Sequence, residues 1–206
     1  DGEKTVRAPW RRGDGGRRSR GATGQPLNRS RCFLALGSNL GDRRENLRQA
    51  LARVSRGGDL KIVAVSRLYE TAPVGPPQGR YYNAVAEIVT GLTPEELLSR
   101  CRNAEDAGGR QRTVRWGPRT IDIDILDCGG MVHETAELRL PHPEIARRAF
   151  VLVPLRDVAP DWVHPVEHRS VGYLIDALGD TGGVCVVVEE NDWFVPPPGV
   201  RGEGAS

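Results

Sequence analysis

Hydrophobic and polar positions alternate strictly at residues 121–125, where Asp122 and Asp124 separate three isoleucines. Successive side chains of a strand point to opposite faces, so the isoleucines would form one row and the aspartates another. The two aspartate Cα atoms would then lie about 6.5 Å apart on one face. The pattern predicts a strand with one apolar face and one acidic face.

Two helices are predicted from apolar residues that recur at helical spacing. The first contains Leu47 to Val54 and follows Asp42, which can cap its N-terminus. The second starts at Thr93, with Pro94 at the first helical position and acidic residues in the first turn. A glycine pair follows each apolar stripe and is expected to stop the helix.

The remaining apolar runs predict strands at residues 32–36, 60–69 and 81–90. With the strand at 121–125, the order becomes β-α-β-β-α-β, which is the order of a ferredoxin-like α/β sandwich. We therefore predict an α/β (α+β) fold with an antiparallel or mixed sheet flanked by helices. Four further elements are expected: a short strand at 137–140, a partial helix at 144–158 interrupted by Pro154, a helix at 170–178 and a strand at 184–189.

The chain has 206 residues, which predicts one domain with appendages. Residues 1–30 show no periodicity, are rich in Gly, Arg and Ser, and hold eight Lys/Arg against three Asp/Glu. The net charge of +2 is therefore concentrated in this head, and the remainder is slightly acidic. We predict a disordered basic head or linker at 1–30, a domain at 31–190 and a disordered tail at 191–206.

The four cysteines are widely spaced and form no Cys-x-x-Cys pair. This spacing predicts neither a zinc site nor a disulfide scaffold, and it suits a reducing compartment. The chain has no apolar run of the length that a membrane span needs, and its basic N-terminus has no apolar signal core. A cytoplasmic protein without a membrane span is predicted.

The candidate chemistry is concentrated at residues 108–127, where an arginine-rich loop leads directly into the acidic strand. The loop contains four arginines within ten residues, bounded by glycines and a Gly-Pro turn: Arg110, Arg112, Arg115 and Arg119. Mg²⁺ is commonly bound by one or two carboxylates plus substrate phosphates, and arginines compensate phosphate charge. The stretch therefore indicates a polyphosphate site. The alternatives are exposed aspartates paired with arginines and a solvated run of charge.

Other candidates are weaker when each is taken alone. The Gly37-Ser38-Asn39 turn could cradle a phosphate through its backbone N–H groups, or it could be a plain strand-to-helix turn. Tyr81 and Phe150 could be core aromatics, and His142, between two prolines, could be structural. Trp116 could belong to the core or stack on a ring.

Taken together, these residues resemble the 6-hydroxymethyl-7,8-dihydropterin pyrophosphokinase family over residues 31–178. The resemblance is carried by four blocks: FLALGSNLGDRRENL at 33–47, YETAPVGPPQGRYYNAV at 69–85, GRQRTVRWGPRTIDIDIL at 109–126 and LPHPEIARRAFVLVPLRDVAP at 140–160. The resemblance implies an enzyme of folate synthesis. ATP would give its β,γ-pyrophosphoryl group to the hydroxymethyl oxygen of the pterin, leaving AMP.

The resemblance also implies roles for particular residues. Asp122 and Asp124 would hold two Mg²⁺ ions that bridge the ATP phosphates. The pterin would be bound by Thr71, Val74, Tyr81, Asn83, Trp116 and Phe150. The catalytic arginines would be Arg110, Arg112 and Arg119. The nucleotide would be bound by Glu105, Arg115, Ile125, His142 and Arg148. The arginine loop would act as a lid that closes over both substrates.

Two departures from the family pattern concern loop length. The lid between Arg112 and Arg115, and the loop before Tyr81, each look one residue shorter than in some members. Some relatives are fused to a neighbouring folate enzyme such as dihydroneopterin aldolase, so the basic head could be a linker remnant. We expect a monomer that can associate with such an enzyme.

Two other functional classes compete with this interpretation. A nucleotidyltransferase is suggested by Gly37-Ser38 together with Asp-x-Asp, and it would release pyrophosphate instead of AMP. A nucleic-acid-binding module is suggested by the Arg-rich head, and its binding would be sensitive to salt. Each rests on one weak signal, so neither is favoured.

Overall fold

The computed structural model describes residues 29–73, 76–109, 117–179, 181, 183–188 and 193–194. Its strands and helices, in chain order, are β1 (Ser30–Ser38), α1 (Arg43–Val54), β2 (Leu60–Val65), β3 (Leu68–Thr71), β4 (Tyr81–Thr90), α2 (Pro94–Ala107), β5 (Asp122–Cys128), β6 (His133–Glu134), β7 (Arg139–Leu140), α3 (Ala149–Val158), α4 (Val171–Leu178) and β8 (Cys185–Val188). A short 3₁₀ helix, Ile145–Arg147, precedes α3.

The main sheet has the strand order β5-β1-β4-β3-β8, and β2 also pairs with β4. Each neighbouring pair is antiparallel. Because β4 lies between β1 and β2, these two strands run in the same direction, as the ferredoxin-like order requires. The sheet and its helices confirm the predicted fold class.

Helices cover both faces of the sheet and enclose two apolar clusters. Leu34 and Leu36 of β1 belong to the cluster that includes Leu47 of α1 and Leu97 of α2. Phe33, which directly precedes Leu34 and points to the opposite face of the sheet, belongs to the cluster formed with α3 and α4. Alternate residues of one strand therefore supply both cores, as the pleat of a strand dictates.

The helix boundaries follow the predicted capping residues. The Asp42 carboxylate accepts a hydrogen bond from the Glu45 N–H at 3.0 Å, and Thr93 forms a capping box with Glu96. Helix α2 ends before Gly108, where a Cβ would lie 2.8 Å from Ile121 Cγ2. Gly108 therefore lets the chain turn tightly from α2 beside the strand that carries the aspartates.

The predicted strand at 60–69 is two strands, interrupted at Ser66 and Arg67. Ser66 exchanges hydrogen bonds with the Val85 backbone through its N–H and its hydroxyl oxygen. The backbone N–H of Arg67 donates to the Asp157 carboxylate at 3.1 Å instead of to a strand. Because a side chain of α3 takes this donor, the ladder breaks, and β3 resumes pairing with β4 further along.

The predicted interruption at Pro154 does not occur, because α3 runs through this residue from Ala149 to Val158. A proline within a helix removes one hydrogen bond and crowds the preceding turn. Here Val151, Leu152 and Leu155 are all buried against the sheet. Tertiary packing of these side chains keeps the helix continuous.

The sequence predicts no disulfide scaffold, but the described residues contain one disulfide. Cys32 of β1 and Cys128 of β5 form a disulfide, with Cα atoms 4.1 Å apart. The two residues are separated by 96 positions in sequence but are direct partners in the β1–β5 register. Cys101 is a free, buried cysteine whose pKa is raised to about 12 by burial.

Trp193 and Phe194, which the sequence assigned to the tail, pack in the cluster shared by α1 and α2. Trp193 is 2% exposed, and its indole N–H donates to the Ser66 carbonyl at 2.7 Å. The predicted tail thus contains an anchor point on the sheet. Residues 1–28 lie outside the described part, so the predicted division into head, domain and tail stays a prediction.

A membrane-spanning helix was not expected. Among the helices that the structure describes, none combines the length and the apolar character needed to cross a bilayer.

We predict that Trp193→Ala lowers the free energy of unfolding by about 3–5 kcal/mol, because it removes a buried aromatic side chain and leaves Ser66 without its donor. Urea unfolding of the full chain would measure the change. The matched control is Tyr173→Ala, an aromatic side chain that is 52% exposed on α4, for which a loss below about 1 kcal/mol is expected. Equal losses in both variants would contradict the anchoring role.

Candidate active site

A cavity opens where β1, β4 and β5 lie side by side, next to the start of α3. It holds about 740 Å³ of empty space, including its mouth. Its lining includes the sequence-predicted residues Thr71, Tyr81, Asn83, Arg119, Asp122, Asp124, Arg148 and Phe150. Residues that are far apart in the chain are therefore brought to one place, which we call the first cavity.

Asp122 and Asp124 stand on the cavity side of β5. Ile121, Ile123 and Ile125 are each at least 95% buried, whereas the aspartate side chains are 24% and 42% exposed. Their partners on β1 are Gly37 and Ala35, respectively. The predicted two-faced strand is confirmed, and the small partners leave open space beside both carboxylates.

Arg119 is held at the entrance to β5 by its backbone and by its side chain. Its guanidinium Nη1 donates to Asp122 Oδ2, and its backbone N–H donates to Asn39 Oδ1 at 2.8 Å. Burial favours the neutral form of Arg119, but the charge and the hydrogen bond of Asp122, together with the charge of Asp124, outweigh it and raise the pKa of Arg119. This arginine therefore stays charged beside the carboxylates.

A second cavity lies on the other side of Asp124. It holds about 680 Å³ of empty space, and its lining includes Asp124, Ile125 and His142. Asp124 thus borders both cavities. Asp124 is therefore the wall residue that the two cavities share.

His142 lines the second cavity, and a hydrogen bond to the backbone fixes the orientation of its ring. Its Nδ1 accepts from the Glu144 N–H at 3.2 Å, which leaves Nε2 as the protonated nitrogen, 3.9 Å from Asp124 Oδ2. Burial lowers the pKa of His142, although Asp124 opposes the shift. A neutral His142 can donate one hydrogen bond without adding charge to the site.

The polar wall of the first cavity is formed by Asn83 and Thr71. Both are buried, and Asn83 Nδ2 donates to Thr71 Oγ1 at 2.7 Å. Asn83 faces Gly37, where a Cβ would lie 3.2 Å from Asn83 Oδ1 and 3.7 Å from Tyr81 Cδ1. Gly37 therefore gives space to the amide and to the aromatic ring next to it.

Glu105 differs in position from the other nucleotide-side candidates. It is 2% exposed on α2, and its carboxylate accepts a hydrogen bond from the Ile123 N–H at 2.7 Å. The described lining of the two cavities does not include it. Glu105 holds the backbone of β5 between the two aspartates, so it supports the site from the core.

Five of the sequence-predicted site residues lie outside the described residues: Val74, Arg110, Arg112, Arg115 and Trp116. Of the predicted Gly37-Ser38-Asn39 turn, Gly37 and Ser38 belong to β1, and the Asn39 N–H donates to the Arg119 carbonyl at 3.2 Å. This donor is used within the protein, which argues against a phosphate cradle at that N–H. The role of Asn39 was missed because its partner is 80 residues away in sequence.

Two cavities that share Asp124, with a second carboxylate and a half-buried arginine beside it, are the arrangement expected of an enzyme that joins a polyphosphate to a second substrate. Comparison with known proteins narrows this class. Residues 33–160 match the family described as 7,8-dihydro-6-hydroxymethylpterin-pyrophosphokinase (HPPK).

Curated relatives carry the same name. The 2-amino-4-hydroxy-6-hydroxymethyldihydropteridine pyrophosphokinase of Pseudomonas aeruginosa is 46% identical over 132 residues, covering 64% of this chain and 82% of the relative. The Synechocystis enzyme of that name is 37% identical over 150 residues, covering 73% and 77%. The chain belongs to this family. Its function is therefore pyrophosphate transfer from ATP to a hydroxymethyl dihydropterin in folate synthesis.

Larger relatives contain more than this domain. The Dictyostelium discoideum folic acid synthesis protein FOL1 is 39% identical over 167 residues, and the match covers 81% of this chain but 24% of that protein. A crystal structure of a Plasmodium falciparum HPPK-DHPS triple mutant superimposes with a TM-score of 0.60 at 16% identity. That match covers 74% of this chain and 45% of the other, and it supports the fold alone.

Proposed function

We propose that the first cavity binds the pterin and that the second binds ATP, with the phosphates lying over the acidic face of β5. The observation that carries this assignment is the position of Asp124, which borders both cavities, while Asp122 borders the first. The transferred group must pass between the two substrates. The carboxylates stand at that junction.

The first cavity suits a flat heterocycle with an amide-like edge. Tyr81 and Phe150 both line it and supply aromatic surface for the ring, which we propose they sandwich. Asn83 and Thr71 supply polar atoms that can read the ring edge, with backbone groups near Thr71 and Val74 expected to assist. The backbone contact at Val74 stays a prediction from the sequence.

The carboxylates fit Mg²⁺ in type and in number. Two aspartates on one strand face, both partly exposed to open space, match the hard oxygen ligands that Mg²⁺ takes alongside phosphate oxygens. In the described part of the chain, no group of three or more His, Cys, Asp or Glu side chains is placed to hold a metal ion, so we propose that substrate phosphates complete the coordination. We propose two ions, which when bound supply charge neutralisation and Lewis-acid polarisation of the phosphates.

The described arginines of the site are placed to bind phosphate oxygens. Arg119 and Arg148 line the first cavity, and Arg119 stays next to Asp122. A planar guanidinium can bind two phosphate oxygens at once, which suits transfer of a polyanionic group. Arg110, Arg112 and Arg115 are proposed to close on the same phosphates as part of the lid.

Catalysis is then a matter of alignment and charge. The nucleophile is a primary alcohol, and in the described lining of the first cavity the carboxylates are Asp122 and Asp124, both proposed as metal ligands. Holding the hydroxyl in line with the β-phosphorus, in a site that neutralises developing charge, accounts for the rate. Ile125 and His142 would position the nucleotide from the second cavity.

Assembly and location are also proposals. We propose a monomer that can associate with a neighbouring folate enzyme, since relatives include HPPK-DHPS fusions. Sedimentation of the purified chain would test this. A cytoplasmic location stays a prediction from the sequence.

Asp122→Ala and Asp124→Ala should each reduce AMP formation by about 100-fold or more, because either change removes a carboxylate from the phosphate junction. The assay is chromatography of nucleotides after incubation with MgATP, with and without the hydroxymethyl dihydropterin. Asp176→Ala, an exposed aspartate of α4, is the matched control and should keep full activity. Retention of most activity by either site variant would disprove the metal assignment.

The same chromatogram separates this reaction from nucleotidyl transfer. We expect AMP that appears only when the pterin is present, in equal amount to the pterin diphosphate. Free pyrophosphate together with an adenylylated pterin would instead support the nucleotidyltransferase interpretation.

Gly37→Ala should raise the KM for the pterin by about fivefold, the worth of one hydrogen bond, with a smaller effect on the KM for ATP. The added Cβ would lie 3.2 Å from Asn83 Oδ1 and push the amide off its position. Steady-state kinetics with each substrate varied in turn would measure both constants. The control is Gly172→Ala on α4, where a Cβ meets nothing within 4 Å. An unchanged KM for the pterin would show that Asn83 does not contact the pterin ring as proposed.

A further inference from the structure

Asn39, in the turn after β1, connects three separate segments of the chain. Its backbone N–H donates to the Arg119 carbonyl at 3.2 Å, and its Oδ1 accepts from the Arg119 N–H at 2.8 Å. Its Nδ2 donates to Gln78 Oε1 at 3.0 Å and to the Gly79 carbonyl at 3.3 Å. Asn39 is 8% exposed, so these bonds are shielded from water.

The connection continues to a substrate-facing group at each end. On the pterin side, Gln78 Oε1 also accepts from the Tyr81 hydroxyl at 3.4 Å. On the phosphate side, the Arg119 guanidinium donates to Asp122. A series of hydrogen bonds, completed by the covalent side chain of Arg119, therefore runs from Tyr81 to Asp122, and Asn39 is its middle member.

The segments that carry this connection are braced by further contacts. Asn46 of α1 donates through Nδ2 to Ser38 Oγ at 3.2 Å and to the Leu40 carbonyl at 2.8 Å, which holds the turn that contains Asn39. Arg43 donates to the Arg80 carbonyl at 2.8 Å and stacks 3.7 Å from the Tyr82 ring centroid. A displacement of Arg119 or of Gln78 would therefore be passed to the other through Asn39 instead of being absorbed by the turn.

We infer that Asn39 is a positioning residue that couples the two substrate sites, so that binding of nucleotide favours binding of pterin and the reverse. The inference rests on the proposed assignment of the two cavities. Nucleotide phosphates that order Arg119 would, through Asn39 and Gln78, fix the Tyr81 wall for the pterin. Such coupling between two sites is reciprocal, so it can be measured from either ligand.

Substitutions can separate the two sets of hydrogen bonds that the Asn39 amide makes, because Oδ1 bonds to Arg119 and Nδ2 bonds to Gln78 and Gly79. Asn39→Asp keeps an Oδ1 acceptor for the Arg119 N–H but removes the donor to Gln78 and Gly79. Gln78→Ala removes the bonds to Asn39 and Tyr81 while leaving the pair between Asn39 and Arg119 intact. Both variants cut the connection on the pterin side and leave the phosphate-side anchor in place.

The experiment measures the dissociation constant of the pterin by fluorescence titration, with and without saturating Mg²⁺ and α,β-methylene-ATP, which cannot give up its pyrophosphoryl group. The ratio of the two constants is the coupling factor. We expect Asn39→Asp and Gln78→Ala each to lower this factor by about fivefold, the share of one hydrogen bond, while affinity for the nucleotide alone changes by less than about twofold.

Asn46→Ala is the matched control, because it removes an amide that braces the same turn but contacts neither Gln78 nor Arg119 in the described hydrogen bonds. It should lower the unfolding midpoint yet keep the coupling factor within about twofold of the wild type. A purely structural role for Asn39 predicts the same behaviour for Asn39→Asp as for Asn46→Ala.

The inference is overturned if folded Asn39→Asp and Gln78→Ala both keep the wild-type coupling factor, or if the wild type shows no coupling. Should Asn39→Asp not fold, Gln78→Ala alone decides. If the wild type binds both ligands but the variants leave the coupling factor unchanged, the proposed function stands and the coupling role of Asn39 is disproved. If the wild type binds neither ligand, the proposed function fails as well.

Discussion

The antiparallel pairing of β5 with β1 is the constraint on which the active site depends. Because Ile123 and Ile125 are buried in the core, the aspartates must lie on the opposite face of the strand. A register shift by one residue would place the aspartates in the core and the isoleucines on the other face. The pairing also places Gly37 and Ala35 opposite the carboxylates. An acidic face beside two of the smallest residues combines charge with open space, which the proposed phosphate site requires.

The residues around β5 stabilise the position of this edge strand. β5 ends the described sheet, and an edge strand has backbone groups without strand partners. Glu105 accepts one of its N–H groups from within the core. Arg119 offsets the charge of Asp122 at the start of the strand, and Asn39 ties Arg119 to the turn after β1. The carboxylates are thus held by hydrogen bonds that Glu105, Arg119 and Asn39 make within the protein itself.

The local parts of the fold were predictable because their causes lie in neighbouring residues. The caps at Asp42 and Thr93 act on backbone groups within three positions, and both helices begin where these residues predict. The errors arose where a distant side chain intervenes. Asp157 takes the N–H of Arg67 and breaks a strand, while burial against the sheet carries α3 through Pro154. Trp193 was assigned to a tail because its partner, Ser66, lies 127 positions away.

By itself, the sequence determined which faces are apolar, where the helices begin and that arginines and aspartates adjoin, because these properties repeat or act over a few residues. Its resemblance to a family supplied the reaction and the candidate residues. Only the tertiary structure decided that Asp124 borders two cavities, that Cys32 meets Cys128, and that Asn39 joins Arg119 to Gln78. These contacts depend on the register of paired strands and on the loops between them, and neither is encoded in a short window of the chain.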